Sequence, residues 1–352
     1  MDKTSYTVLL EKINHDLERL TKQWQKQEQA GEGAPAKAFC DVLLRGGKRL
    51  RGVLAMQSYY AHGGEDDAVA LGAARVFEII QTSILIVDDI ADRSDMRRGG
   101  PAAHRQLADV AKAANLKGGD AHYGVVQTMN IAYETINLAT IELLKLPVSA
   151  DIARQTTRRF HENIAMTIRG QIDDIYNEAT PTVVPLSAIE RVMERKSAYY
   201  TVLSPLELGA QLAGVNTLPP NLREYSLAAG KVFQIADDIL GTFGASAATG
   251  KGSNDDIREG KQTLLAHYAF EKATPQQKKV LEKAFGNRKA SVKQCDAVRA
   301  IFEQTGALEK AKKRQVHYEK EALKALDDDK ITNPAFVAEL RGLVNYFAKR
   351  TS

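Results

Sequence analysis

Residues 77–92 read FEIIQTSILIVDDIAD, an apolar helical run that ends abruptly in carboxylates; Asp95 follows three residues on, and Arg93, Arg97 and Arg98 are threaded among the acids. The period of this stretch is shared along the chain. Leu9, Ile13, Leu17, Leu20 and Trp24 recur at three- and four-residue steps, as an amphipathic helix requires. Ala-rich stretches such as AVALGAARVFEIIQ favour helix and allow close helix contacts. Gly, Pro and small polar residues mark loops at Gly31–Pro35, Lys117–Asp120, Thr180–Ser187, Gly214–Asn221, Gly244–Asp255 and Asp327–Pro334. No fixed-period repeat and no low-complexity linker separates two units. The expectation is a single all-α domain over residues 1–352.

At 352 residues the chain is long enough to bury a substantial core. Its 48 basic and 44 acidic residues, net +4, are too nearly balanced for a nucleic-acid footprint, so no nucleic-acid partner is expected. Cys40 and Cys295 are far apart and offer neither a disulfide framework nor a metal-ligand pair, which suits a reducing compartment; the cytoplasm is the expected location. The first twenty residues are charged throughout, with no signal-like apolar segment. No uninterrupted apolar run approaches the roughly 18 residues needed to span a bilayer, so no transmembrane segment is expected.

Asp88 and Asp92 stand four residues apart, on one helix face. Two such carboxylates repel unless a cation sits with them. Mg²⁺ is the expected cation, because it takes hard oxygen ligands from one or two carboxylates plus substrate phosphates. A solvated helix end is the competing reading of a lone DDxxD. The acids oppose the macrodipole at the C-terminal end of an apolar helix, which favours compensation by metal. Arg97 and Arg98, before Gly99 and Gly100, offer guanidinium donors suited to phosphate oxygens, or else a salt bridge back to the acids.

The pattern repeats downstream. VFQIADDILGTFG, residues 232–244, places Gln234, Asp237 and Asp238 on another helix. A diphosphate held between two such helices by several Mg²⁺ ions would account for both clusters. TGKGSNDDIREGKQTLL follows and sets Lys251 and Lys261 beside glycines, without the spacing of a P-loop. RGGKRLRG places Arg45, Lys48, Arg49 and Arg51 around a glycine pair, where a second anion is expected. MERKSAYY adds Lys196 and Ser197, and RGQIDDI adds Gln171, Asp173 and Asp174; singly, these are more often polar residues at a core edge.

These motifs, in order and spacing, resemble those of the trans-isoprenyl diphosphate synthases, the polyprenyl synthetase family. DDIADRSDMRRG looks like the first aspartate-rich motif with its RRG, and FQIADDILG like the second, usually FQxxDDxxD. GGKRLR, GQIDD, the Lys196–Ser197 pair and DIREGK-x-T also match, so the similarity covers roughly residues 40–265. The resemblance implies the isoprenoid synthase fold, an all-α bundle around a deep central cavity, and usually a homodimer. It implies head-to-tail transfer, in which an allylic prenyl diphosphate ionises, isopentenyl diphosphate attacks the carbocation and a proton is lost. Carried over residue by residue, Asp88, Asp92 and Asp237 would bind Mg²⁺, with Asp89 and Asp238 supporting. Arg97, Lys196, Gln234, Lys251 and Lys261 would grip the allylic diphosphate. Lys48, Arg51, Arg98 and Gln81 would bind isopentenyl diphosphate, and Ser197 and Gln234 would face the carbocation and the proton-loss step.

Three departures stand out. Gly241 occupies the place of the second motif's last aspartate, so metal binding there must rest on Asp237 and Asp238, with Asp255 or Asp256 as replacements from the following loop. Gln81 stands where many members use histidine, and the usual Gly-Asp after Asn130 is absent. The prenyl tail is expected to descend past Ile84, Ser83, Ile80 and Phe77. No aromatic ring stands four or five residues before Asp88, so a product of about twenty carbons or longer, geranylgeranyl diphosphate or beyond, is expected. The competing readings are a farnesyl diphosphate synthase and a non-catalytic partner subunit, the latter raised by Gly241. A terpene cyclase is disfavoured, because Arg258 stands where its second metal motif needs Ser or Thr.

Overall fold

The computed structural model describes residues 5–27, 33–244, 254–327 and 333–350. The chain divides into two compact units, Met1–Arg159 with Pro205–Thr217, and Phe160–Ser204 with Leu218–Ser352. Both are helical, as the apolar period requires. The one sheet among the described residues is a two-stranded hairpin.

The first unit contains α1 (Tyr6–Gln27), α2 (Gly33–Leu44), α3 (Leu50–Ala61), α4 (Asp67–Ala91), β1 (Met96–Arg97), β2 (Gly100–Pro101), α5 (Ala103–Ala113) and α6 (Asp120–Leu144). Helix α4 is its centre. The N-cap Asp66 accepts a hydrogen bond from the Ala68 amide at 2.7 Å, satisfying one of the free donors of the first turn. Val76, Phe77, Ile79 and Ile80 are then completely buried, with α1, α3 and α6 packed around the helix. By length and composition α4 is apolar enough to cross a bilayer, but 72% of its most apolar window is buried inside the protein, the situation of a core helix. A count of uninterrupted apolar residues passes over this helix because single polar residues divide its run.

One buried polar link ties α1, α4 and α6 together. Arg75 donates to Asp16 at 2.8 and 2.9 Å and to Glu142 at 2.7 Å, while Arg19 donates to Asp16 at 2.8 Å. Burial alone would raise the Asp16 carboxyl, but the hydrogen bonds from Arg75 and Arg19 outweigh it and hold the carboxyl below its ordinary value.

The second unit contains most of α7 (Ala150–Ala179), then α8 (Leu186–Val192) and a π-helix (Met193–Leu203). After α9 (Ser204–Leu212) come α10 (Pro220–Phe243), α11 (Asp255–Glu259), α12 (Leu264–Lys272), α13 (Pro275–Ala284), α14 (Val292–Gln304), α15 (Ala307–Ala325) and α16 (Pro334–Lys349). Helix α10 is the centre here, packed by the π-helix, α15 and α16. Tyr225 is fully buried on α10 and its hydroxyl donates to the Leu340 carbonyl at 2.8 Å, so its burial leaves no donor unpaired.

Asp16 gives the first unit a pH signature. A carboxyl held low in the folded chain contributes stability that is fully present above its unfolded pKa and is lost as pH falls through the lower folded value. Asp16→Asn is expected to cost on the order of 2 kcal/mol at neutral pH, the worth of hydrogen bonds to a buried charge. It should also reduce the further loss of stability below pH about 4. Thermal melts across pH check this; parallel acid curves for the variant and the parent would remove Asp16 from the account.

Candidate active site

The first aspartate set closes α4. Asp88 and Asp92 share a face, and the Asp92 amide caps the helix by donating to the Asp88 carbonyl at 2.8 Å. Asp89 points inward and is completely buried. Its Oδ1 accepts from Arg97 Nε at 2.7 Å and, more closely, from Arg97 Nη2, which lies 3.8 Å from Asp88 Oδ2. Burial would lower the Arg97 pKa, but the Asp89 hydrogen bond and the charges of Asp89, Asp88 and Asp92 raise it above the ordinary value. Asp89 therefore anchors Arg97 and neutralises it in part, while Asp88 and Asp92 are near enough for their charges to act on the same guanidinium.

The β1–β2 hairpin presents the two arginines. Arg97 pairs with Gly100, and the loop residues Arg98 and Gly99 have φ of 50° and 75°. Two positive φ values mark the mirror-image turn that matches strand twist. The Arg98 guanidinium lies over Gly47, where an added Cβ would stand 3.1 Å from Nη2, and Nη1 donates to the Val42 carbonyl at 3.3 Å. Burial pushes Arg98 down to about 10, with Arg49, Arg97 and Arg51 adding to the shift and Glu78 opposing it. Such a gathering of guanidiniums is poised to receive an anion.

Within RGGKRLRG the residues take different parts. Arg49, at φ 46°, turns into the core and donates to Glu78 at 2.9 Å, the Leu43 carbonyl at 2.6 Å and Asn14 at 3.2 Å. Arg45 braces the hairpin by donating to the Arg97 and Pro101 carbonyls at 2.9 and 2.8 Å. Lys48 is exposed and Arg51 half-buried. Gln81 lies on the Asp88 face of α4, and its Oε1 is buried without a hydrogen-bond partner among the described residues.

Of the expected tail-lining residues, Phe77 and Ile80 are fully buried and Ile84 is partly exposed. Ser83 is buried against α6. Its Oγ donates to the Ile79 carbonyl at 2.9 Å and lies 2.7 Å from Thr135 Oγ1.

The second set lies in the other unit. Lys196 and Ser197 sit on the π-helix, whose wider turn is common at functional sites. Its neighbours reach it through glycines: a Cβ at Gly170 of α7 would lie 2.3 Å from Lys196 N, and one at Gly230 of α10 would lie 2.3 Å from Ala198 Cα. Lys196 Nζ donates to Asp174 at 2.6 Å. Ser197 Oγ donates to Gln234 Oε1, and Gln234 Nε2 donates to Asp238 Oδ1 at 2.7 Å, which fixes the amide between hydroxyl and carboxylate. Burial raises the Asp238 carboxyl well above the ordinary range; the Gln234 hydrogen bond opposes this, and the charges of Asp237, Asp256 and Asp174 reinforce it. Asp237 is 54% exposed and faces Arg350 at 3.4 Å. Lys261 Nζ lies 2.6 Å from Glu178 and 3.7 Å from Glu259. Lys251 lies outside the described residues.

Sequence reasoning passed over Arg350 and Glu178. Nothing local to Arg350 signals Asp237, 113 residues away. Glu178 does carry a signal: with Gly170 and Asp174 it marks one face of α7 at four-residue steps.

The donor chemistry fits Mg²⁺. Among the described residues no three His, Cys, Asp or Glu stand in ligating geometry. The carboxylates come in pairs of hard oxygen donors, the arrangement suited to an ion that completes its shell with waters and substrate phosphates.

The family model for polyprenyl synthetase matches residues 35–302. Geranylgeranyl diphosphate synthase of Methanosarcina mazei is 29% identical over 292 residues, 83% of this chain and 82% of that protein. Geranylfarnesyl diphosphate synthase of Aeropyrum pernix is 30% identical over 314 residues, 88% of this chain and 90% of that one. Among solved structures, a geranylgeranyl pyrophosphate synthase of Corynebacterium glutamicum, complexed with isoprenyl diphosphate and magnesium, superposes with a TM-score of 0.88 at 31% identity, covering 98% of this chain and 99% of that one. Both aspartate sets, the hairpin arginines and the π-helix lysine fall inside the matched span, and the chain belongs to the polyprenyl synthetase family.

Proposed function

We infer that this chain is a chain-elongating trans-prenyltransferase that condenses isopentenyl diphosphate with an allylic prenyl diphosphate and releases a product of about twenty carbons or more. The observation that carries this reading is the pair of aspartate sets on a polyprenyl synthetase chain, the first with Arg97 on Asp89 and the second with Arg350 facing Asp237.

Asp88, Asp92 and Asp237 are assigned as the Mg²⁺ ligands. Bound Mg²⁺ supplies charge stabilisation to the departing diphosphate. Lys196 and Lys261 hold the allylic diphosphate while its C–O bond breaks and leaves a carbocation. Asp174 and Glu178 keep these two lysines in place. Arg97, anchored on Asp89, is likewise assigned to diphosphate binding. Arg98, with Lys48, Arg51 and Gln81, binds isopentenyl diphosphate, whose double bond attacks the cation. Ser197 and Gln234 stand fixed by their hydrogen bonds near the step at which the proton is lost. Buried aliphatic residues of α4 keep water from the cation.

Product length rests on α4. Ile84 is the open position on the Asp88 side, and Phe77 lies two turns deeper. Two relatives are named for products of geranylgeranyl or geranylfarnesyl length, which supports the same range here. Self-association into a homodimer is supported by α6, which exposes Val126, Met129, Tyr133, Ile141 and Leu144; Tyr133 is 76% exposed. An apolar stripe of this kind favours a partner surface.

Three measurements check these assignments. Asp88→Asn or Asp92→Asn is expected to lower kcat/KM on the order of a hundredfold or more, as loss of transition-state charge stabilisation does; unchanged turnover would overturn the metal assignment. Products made from isopentenyl and farnesyl diphosphates with Mg²⁺ should reach about twenty carbons or more, and Ile84→Phe should shorten them. Accumulation of fifteen-carbon product alone from shorter primers would overturn the length. Light scattering should give a dimer mass that falls to the monomer in Met129→Glu/Tyr133→Glu; a monomeric parent would end the dimer reading.

A further inference from the structure

The loop that carries Lys48 has no regular backbone of its own. It joins α2, which ends at Leu44, to α3, which begins at Leu50, and Gly46, Gly47 and Arg49 adopt φ of 87°, 130° and 46°. A left-handed arginine persists only where its surroundings hold it. Several contacts hold the flanks of the loop. Arg98 lies over Gly47 and donates to the Val42 carbonyl, while Arg49 donates to the Leu43 carbonyl and to Glu78. Lys48 itself is reached from α1, because the Tyr6 hydroxyl donates to its carbonyl oxygen across 42 residues of sequence.

Helix α1 gives that contact a firm base. Its Leu9, Ile13 and Leu17 are buried, and its Asn14 accepts from Arg49 Nε at 3.2 Å. A Cβ at Gly52 of α3 would lie 3.1 Å from Ile13 Cδ1, so α1 and α3 approach closely just past the loop. Tyr6 is half-buried. Burial first, and then the charge of Glu78, raise its pKa above the ordinary value, so the hydroxyl keeps the proton it donates.

We infer that Tyr6 is a positioning residue for isopentenyl diphosphate: by holding the Lys48 carbonyl it fixes the root of the lysine stem, and with it the reach of the ammonium toward the diphosphate. This rests on the assignment of Lys48 to isopentenyl diphosphate above. Lysine is a point charge on a flexible four-carbon stem, so the fold controls chiefly where that stem begins. Fixing its start in advance lowers the ordering cost of binding.

Tyr6→Phe removes the hydroxyl and keeps the ring. It is expected to raise KM for isopentenyl diphosphate about fivefold, the worth of one net hydrogen bond, and to leave kcat and KM for farnesyl diphosphate within about twofold of the parent. Lys48→Ala should raise the same KM about tenfold or more, as loss of a hydrogen bond to a charged group does. Adding Tyr6→Phe to Lys48→Ala should then change it by less than about twofold, because contacts that act through one another do not add. Parent-like KM for isopentenyl diphosphate in Tyr6→Phe, whatever its melting temperature, would overturn the inference. Equal rises for both substrates, or full additivity in the double variant, would do the same by marking a role apart from Lys48. Lys48→Ala separates the two levels. If it raises KM and Tyr6→Phe does not, only the role of Tyr6 falls; if it has no effect, the assignment of Lys48 falls and the inference with it.

Discussion

Like charges gathered at the ends of apolar helices are the constraint that organises this molecule. Asp88, Asp89 and Asp92 end α4, and Asp237 and Asp238 lie near the end of α10. Without cations such groupings repel and lose hydration. The chain answers part of the demand itself. Arg97 neutralises Asp89 and Arg350 faces Asp237, while on α7 Lys196 takes Asp174 and Lys261 takes Glu178. Asp88, Asp92 and Asp237 are the carboxylates that the proposed reading assigns to outside charge.

Positioning follows from close backbone packing as much as from ion pairs. Lys196 and Ser197 ride on a π-helix that glycines of α7 and α10 approach too closely for any side chain. The wider turn and the tight contacts support each other, because the flanking helices leave the π-helix little room to relax. Gln234 then joins Ser197 to Asp238, so that the amide cannot rotate without breaking a bond at each end.

The helical class and both aspartate sets were legible because period and spacing are local properties. The two compact units left no trace in composition, since one boundary falls inside the continuous helix α7 and another at the start of α9. Charge inventory also misled in detail. RGGKRLRG reads as one basic patch, yet Arg49 is spent on buried Glu78 and Arg45 on the hairpin carbonyls. Ser83 is a tail-lining expectation from its distance to Asp88, and its hydroxyl also meets Thr135, 52 residues away. Partners so distant in sequence are chosen by tertiary packing, which no window of residues records. Gly241 is the same case reversed: nothing local to it signals the Asp256 carboxylate that a side chain there would meet.

The hairpin at Arg97–Gly100 has a consequence for how this chain tolerates change. Arg97 ends a strand and Arg98 opens the turn, so one guanidinium goes to Asp89 and the next to the ledge above Gly47. The turn behaves as a rigid two-pronged fork with its handle clamped by Arg45. Inserting or deleting a single residue in it would rotate the prongs out of register, taking Arg97 away from Asp89 and Arg98 away from Gly47. Length, more than residue identity, is therefore what this short loop has least freedom to vary.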